Sequence, residues 1–206
     1  ISGAIKPDEG AVRLDGEDIT GRSPHRVARM GVARTFQTTA LFEELPVWVN
    51  LVIGHRMRTR SGLWDALLTT PRARREKREV AAKVGEVLAF TGLGEYANLP
   101  AGSIPQEAQK RLSIGVAMVG DPKLLLLDEP TGGVGVGETD EIIALIGRVR
   151  DAGITICIIE HKMRMIMNLA DDIVVLNFGT KIAGGPPDQV CQDPAVIEAY
   201  LGECIA

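Results

Sequence analysis

Two short apolar runs dominate the pattern of hydrophobic and polar positions along the chain. Leu124 to Leu127 lies between Lys123 and the polar break Asp128-Glu129-Pro130, and Ile154 to Ile159 is rich in β-branched residues. Apolar runs of this length, bounded by polar or turn-forming residues, read as strands buried on both faces, the kind found inside a parallel sheet. Between them Ile142, Ile143, Leu145, Ile146 and Val149 recur at helical spacing and predict an amphipathic helix over Glu138 to Arg150, which Gly153 ends. Strand, helix and strand in that order imply a right-handed parallel crossover, so both strands finish on the same edge of one sheet.

Upstream the pattern changes twice. Ala11-Val12-Arg13-Leu14 alternates like a strand, and Asp15-Gly16 is a two-residue hairpin turn before Glu17-Asp18-Ile19. Ser23-Pro24 offers an N-cap and a first-turn proline for a short helix through Met30, which Gly31 can terminate. Val32 to Phe36 returns as a strand ending at Gln37. From Trp48 to about Val119 the character is helical: Val80, Val84, Val87 and Leu88 make one apolar face, and Gln109 to Val119 resumes the helix after a break from Pro100 to Pro105. The basic run Arg72, Arg74, Arg75, Lys77 and Arg78 has Glu76 and Glu79 four residues after Arg72 and Arg75, which predicts a solvated, salt-bridged face. Beyond the second apolar run come a short helix over Met163 to Leu169, a hairpin from Ile173 to Ala183 turning through Asn177 to Thr180, and a last helix over Pro194 to Leu201.

The expected architecture is a single α/β domain over residues 1–206. Its core spans 1–40 and 120–206, with a mainly parallel sheet and a small antiparallel part, and 41–119 forms a helical subdomain. A hydrophobic content of 45% in 206 residues is enough for a sizeable core. The formal charge of −4, from 23 basic and 27 acidic residues, gives no electrostatic reason to expect nucleic acid as a partner. No apolar run approaches the ~20 residues of a spanning helix, so a membrane role would be peripheral. Cys157, Cys191 and Cys204 show neither zinc spacing nor the density of a disulfide scaffold, which fits a reduced, cytosolic setting. Cys157, inside an apolar strand, reads as a buried structural thiol.

Chemistry concentrates where the first apolar run stops. Two adjacent carboxylates, Asp128 and Glu129, stand at the carboxyl end of a parallel strand, the edge at which such sheets bind ligands. The crossover brings His161, just past the second strand, toward the same edge. With Gln37 ahead of the helical insert, this order of Gln37, Leu124 to Thr131 and His161 resembles the ATP-binding subunits of ABC transporters. The resemblance runs from Ile1 to Glu203. Ala33-Arg34-Thr35-Phe36-Gln37, the insert near Ser61 to Arg78 and the ending Val196 to Glu203 are similar to the branched-chain amino-acid importer branch.

That resemblance implies a P-loop NTPase-like nucleotide-binding domain using ATP and Mg2+. Leu124 to Asp128 would be the Walker B strand, with Asp128 holding magnesium through water, Glu129 polarising the attacking water and His161 contacting the γ-phosphate. Gln37 would reach the metal and the water from a hinge. Trp48 and Leu41-Phe42 would dock a membrane partner, with scattered core aromatics as the plain alternative. The implied partners are a second ABC ATP-binding subunit, transmembrane permease subunits and, indirectly, a periplasmic or extracellular substrate-binding protein. The place of work would be the cytoplasmic face of the membrane.

Three departures qualify the resemblance. No glycine-rich loop ending in Gly-Lys-Ser/Thr occurs in the sequence, and Ile1-Ser2-Gly3 reads as following such a loop, so the chain is expected to lack the N-terminal strands and P-loop of the family and to be inactive alone. Exposed apolar strand edges are the expected consequence. Ile104-Pro105-Gln106-Glu107-Ala108 stands where the signature Leu-Ser-Gly-Gly-Gln would be, and a carboxylate at Glu107 would repel a partner's phosphate. Gly132-Gly133-Val134-Gly135-Val136 replaces the D-loop, with no side chain at Gly135 to bridge a dimer and extra glycines to loosen the turn. Residues serving the subunit's own nucleotide are intact and those serving a partner's are altered, a pattern that fits an asymmetric heterodimer. A degenerate, non-catalytic subunit fits it as well, and a soluble ABC ATPase unrelated to transport fits less well.

Overall fold

The structure, a computed structural model, describes residues 1–35, 41–56 and 71–199. The chain divides into two compact units, Ile1–Ile159 and Glu160–Ala206. The first begins with a two-stranded antiparallel ribbon, β1 (Arg13–Leu14) and β2 (Glu17–Asp18). Its turn uses Asp15 and Gly16 at φ +49° and +81°, the left-handed pair that a tight hairpin needs. Helix α1 (Pro24–Arg29) follows with Pro24 in its first turn. Ser23 occupies the N-cap as the sequence predicts, yet it caps with its carbonyl, which takes the N–H groups of Arg26 and Val27, and its hydroxyl makes no capping bond. Ile19, Val27 and Val32 close this corner against Leu124 and Leu126.

The sheet of the first unit is parallel, in the order β3 (Val32–Arg34), β4 (Leu124–Asp128), β5 (Thr155–Ile159). The predicted crossover is present, with α5 (Val136–Asp151) joining β4 to β5 and burying Ile142, Leu145, Ile146 and Val149. The two strands of the crossover differ in burial. In β4, Leu125 and Leu127 are 0% and 1% exposed, whereas Ile159 at the end of β5 is 63% exposed and Cys157 is also exposed. The reading of β5 as buried on both faces, and of Cys157 as a buried thiol, is therefore corrected. Among the described residues β5 pairs only with β4, so it is an edge strand with an apolar face open to solvent.

The helical part consists of α2 (Val47–Arg56), α3 (Pro71–Thr91) and α4 (Gln106–Met118) around Leu51, Val84, Val87, Leu93, Ala108 and Leu112. Helix α4 starts three residues earlier than its periodicity suggested, because Pro105 serves as its N-cap and need not interrupt it. Gly54 lets α2 press onto α4: a Cβ there would lie 2.8 Å from the carbonyl oxygen of Val116. On the exposed face of α3, Arg75 pairs with Glu79 at 3.0 Å, as the spacing predicts.

The second unit holds α6 (Met163–Leu169), the antiparallel pair β6 (Ile173–Asn177) and β7 (Thr180–Gly185), and helices α7 (Pro187–Val190) and α8 (Pro194–Ala199). Ile173, Val175, Ala183, Val190 and Val196 form its core. The hairpin turns at Phe178 and Gly179, both at positive φ.

Candidate functional site

Strand β4 carries its two carboxylates to the end of the sheet and there the backbone changes hand. Asp128 is the last strand residue, in register with Ile159, and Glu129 follows at φ +44°. A left-handed conformation costs a non-glycine residue roughly 1–3 kcal/mol and persists only where neighbouring bonds fix it. Two bonds do so here: the Glu129 N–H donates to Ile159 O at 2.9 Å, and the Gly132 N–H donates to Glu129 O at 3.0 Å. The Glu129 carboxylate lies over Gly132, where an added Cβ would stand 3.7 Å from Oε2. Pro130 and Thr131 are buried beneath the turn.

Asp128 has different surroundings. Its N–H donates to Thr35 Oγ1 at 3.4 Å, and its carboxylate pairs with Arg34 at 3.2 Å. With Thr35, Lys110, Ser113, Ile114 and Pro130 it lines a small depression between the sheet and α4. Among the described residues no group of three or more His, Cys, Asp or Glu is arranged to hold a metal ion. A single carboxylate flanked by cationic side chains suits magnesium only in company with phosphate oxygens, which is how this ion is often bound. These residues would therefore fit magnesium only as part of a nucleotide complex.

The segment that the sequence aligns with the signature turns its acid inward. Glu107, in the first turn of α4, has a side chain only 10% exposed, and its carboxylate is gripped by Arg111 one turn later through both Nε and Nη2. Arg111 in turn donates to the carbonyls of Thr91 and Gly92 at 2.9 and 3.2 Å and so ties α4 to the end of α3. Glu107 thus carries an internal counter-charge in Arg111. Pro105 and Gln106 stand exposed at the helix start, while Ala108 is buried in the helical core.

Two of the glycines after Thr131 have local structural roles. Gly133 adopts φ +78° and an added Cβ would lie 2.8 Å from Gln106 Nε2, so its glycine answers a conformational need. Gly135 is the N-cap of α5: its N–H donates to Glu138 Oε2 at 3.3 Å and its carbonyl accepts from Thr139 Oγ1 at 2.9 Å.

Asp128, Glu129, Gln106, Glu107 and Gly135 all belong to the first unit. His161 opens the second, where its N–H donates to Glu160 Oε2 at 2.9 Å. Gln37 lies outside the described residues. Phe42 and Trp48 are 53% and 43% exposed, not core aromatics. Leu99 is 45% exposed, and its carbonyl accepts from the N–H of Val47, the residue before Trp48. Buried Asn50 clamps their loop, accepting from Phe42 N–H and donating to the carbonyls of Phe42, Leu45 and Pro46.

Sequence reasoning passed over Asn50, Arg111 as a partner of Glu107, and Arg34 as a partner of Asp128. The second had a signal, since Glu107 and Arg111 are four apart on one helix. The other two had none, being contacts set by loop folding and strand register.

Comparison with known proteins shows the family. The family described as "ABC transporter" matches residues 1–132, and "Branched-chain amino acid ATP-binding cassette transporter" matches residues 180–203. The high-affinity branched-chain amino acid transport ATP-binding protein BraF of Pseudomonas aeruginosa is 40% identical over 204 residues, covering 98% of this chain and 80% of its own. LivG of Escherichia coli K12, with the same description, gives the same figures. The solved structure of MJ1267, an ATP-binding cassette of an ABC transporter, superposes with a TM-score of 0.83 at 32% identity over 98% of this chain and 81% of that one. With a family match over more than half its length and relatives of this identity, the chain belongs to the ABC transporter family.

Proposed function

We propose that the chain is the ATP-binding and ATP-hydrolysing component of an ABC importer for branched-chain amino acids. The observation that carries the reading is the pair Asp128 and Glu129 at the carboxyl end of β4, with Glu129 held at φ +44°. Support comes from the relatives BraF and LivG, which are branched-chain amino acid transport ATP-binding proteins.

In this reading phosphoanhydride hydrolysis is a matter of positioning and charge. Magnesium, when bound with the nucleotide, would neutralise phosphate charge. Asp128 would hold it, with Gln37 reaching the same ion. Glu129 would accept the proton of the attacking water as general base, its carboxylate aimed by the fixed left-handed turn. His161 would stabilise charge developing on the γ-phosphate. Pro105, Gln106, Glu107, Ala108 and Gly135 would face the nucleotide of a second ATP-binding subunit, in a heterodimer whose two sites differ. Phe42, Trp48 and Leu99 would form the apolar face that meets permease subunits, at the cytoplasmic side of the membrane. No helix among the described residues is long and apolar enough to cross a membrane.

The 206 residues contain no Gly-Lys-Ser/Thr phosphate loop, so ATP added to the chain by itself should give no binding heat in calorimetry. Micromolar affinity would overturn that expectation. Placing a relative's phosphate-loop segment ahead of Ile1 should give ATP hydrolysis, and Glu129→Gln in that chimera should lower it by about 10²- to 10⁴-fold. A chimera whose hydrolysis is unchanged by the Glu129→Gln substitution would exclude Glu129 as the base. Glu107 and Gly135, which depart from the residues that the resemblance expects, favour a second reading, a non-catalytic subunit. That reading gains if the chimera binds ATP without turnover.

A further inference from the structure

Arg72, Arg74, Arg75, Lys77 and Arg78 crowd into the start of α3, with Glu76 the one acid among them. The chain as a whole is acidic, at −4, so the run is a local concentration of the opposite sign. The helix sorts its charges by side. Val80, Val84, Val87 and Thr91 are buried and fix which side of α3 faces inward. At about 3.6 residues per turn, Glu76, Glu79, Lys83 and Glu86 fall along one flank. Two of these acids are met within the protein: Arg75 pairs with Glu79 at 3.0 Å, and Lys83 pairs with Glu86 at 3.6 Å and with Asp121 at 2.6 Å. The opposite flank carries Arg74, Lys77 and Arg78, then Ala81 and Gly85, and no acid.

Lys77 and Arg78 are exposed, and among the described residues no acidic group pairs with either. Further along the same outward side, Ala81, Ala82, Gly85 and Ala89 are exposed, and an added Cβ at Gly85 would meet nothing within 4 Å. Small neighbours leave the basic side chains as the long groups of this surface. Several unpaired bases on one side of an amphipathic helix suit a plane of mobile anions, to which each base adds its own attraction. We infer that the basic flank of α3 binds the anionic lipid headgroups of a membrane surface. Screening confines the attraction to groups within roughly 8–10 Å, so the acidic balance of the rest of the chain does not cancel it. The inference rests on the reading of the chain as a transporter subunit, in which Trp48 of α2 meets the permease. Helices α2 and α3 share one core, so α3 would stand near the bilayer as well.

Co-sedimentation of the full chain with lipid vesicles tests the inference without ATP, permease or turnover. Vesicles of phosphatidylcholine mixed with phosphatidylglycerol should carry the chain down at low salt and release it at high salt. Vesicles of phosphatidylcholine alone should not carry it. Lys77→Gln with Arg78→Gln should lower the partition about five-fold for each charge removed. Arg26→Gln with Arg29→Gln, which takes the same charge from exposed positions of α1, should leave it unchanged. Glutamine is a good helix former, so α3 should persist in circular dichroism; should the first pair not fold, Arg75→Gln with Arg78→Gln takes its place with the same expectation. Equal binding to both kinds of vesicle would overturn the inference in favour of exposed apolar groups such as Ile159. An equal loss in the α3 and α1 variants would overturn it in favour of net charge alone. No binding to either vesicle would overturn it outright and leave the flank to an acidic protein. None of these outcomes touches the hydrolysis expected of the phosphate-loop chimera, so the two readings fail separately.

Discussion

Strands β4 and β5 are neighbours of similar composition and similar length, and they live in different solvents. Leu125 and Leu127 of β4 are sealed, while Ile159 of β5 is 63% exposed and Cys157 is exposed with it. An apolar run dictates that a segment prefers burial; what burial it receives depends on what lies beside it. β4 has a strand on each side, and β5 has one among the described residues. The carboxylates therefore sit at the end of the strand of this sheet that is paired on both edges, which suits groups that must be held still.

The sharpest way to break the comparison is to remove packing from each strand in turn. Leu127→Ala should lower the unfolding free energy in urea by about 2–5 kcal/mol, since a cavity is left among fully buried neighbours. Ile159→Lys should change it by no more than about 0.5 kcal/mol. It should also raise the protein concentration at which light scattering appears, because a charge on an apolar edge strand opposes strand-to-strand association. Equal losses in the two variants would mean that β5 is as buried as β4.

Thiol chemistry reads the same contrast without altering packing. In a Cys204→Ser background, Cys157 should react with Ellman's reagent in the native state faster than half-buried Cys191, and Cys157→Ser should delete the fast phase. A single slow phase would place Cys157 in the interior. A further small effect lies outside both strands and gives a baseline. Lys83 Nζ is 2.6 Å from Asp121, and the hydrogen bond from this ammonium to the carboxylate holds the Lys83 pKa above the ordinary 10.5. A raised folded-state pKa stabilises below the unfolded value and the contribution is lost as pH rises through the folded one. Lys83→Met should therefore cost under about 1 kcal/mol at neutral pH, a gap that closes as the pH passes 10.5.

Much of the arrangement was legible from local sequence. The tight turn at Asp15-Gly16, the helix opened by Pro24, and the crossover from β4 through α5 to β5 follow from periodicity and turn chemistry. The carboxylate pair was legible because a Leu run followed by Asp-Glu-Pro marks where the strand stops. Glu107 was legible as a departure; the carbonyls of Thr91 and Gly92 that fix its partner Arg111 were not, since they bring together residues up to 20 apart. The glycines after Thr131 were read as looseness, whereas Gly133 meets both a positive φ and the close approach of Gln106.

The sequence by itself determined the kind of protein and the place of two adjacent carboxylates at a strand end, because strand ends, turns and adjacent carboxylates are encoded over a few residues. Tertiary structure alone decided which apolar strand is sealed, which cation meets Asp128, and that Glu129 is locked into a left-handed turn by the carbonyl of Ile159 and the amide of Gly132. Burial, ion pairing and backbone strain are properties of neighbours. In this chain the neighbours that matter stand as far as 94 residues apart, as Arg34 and Asp128 do, and no local pattern announces them.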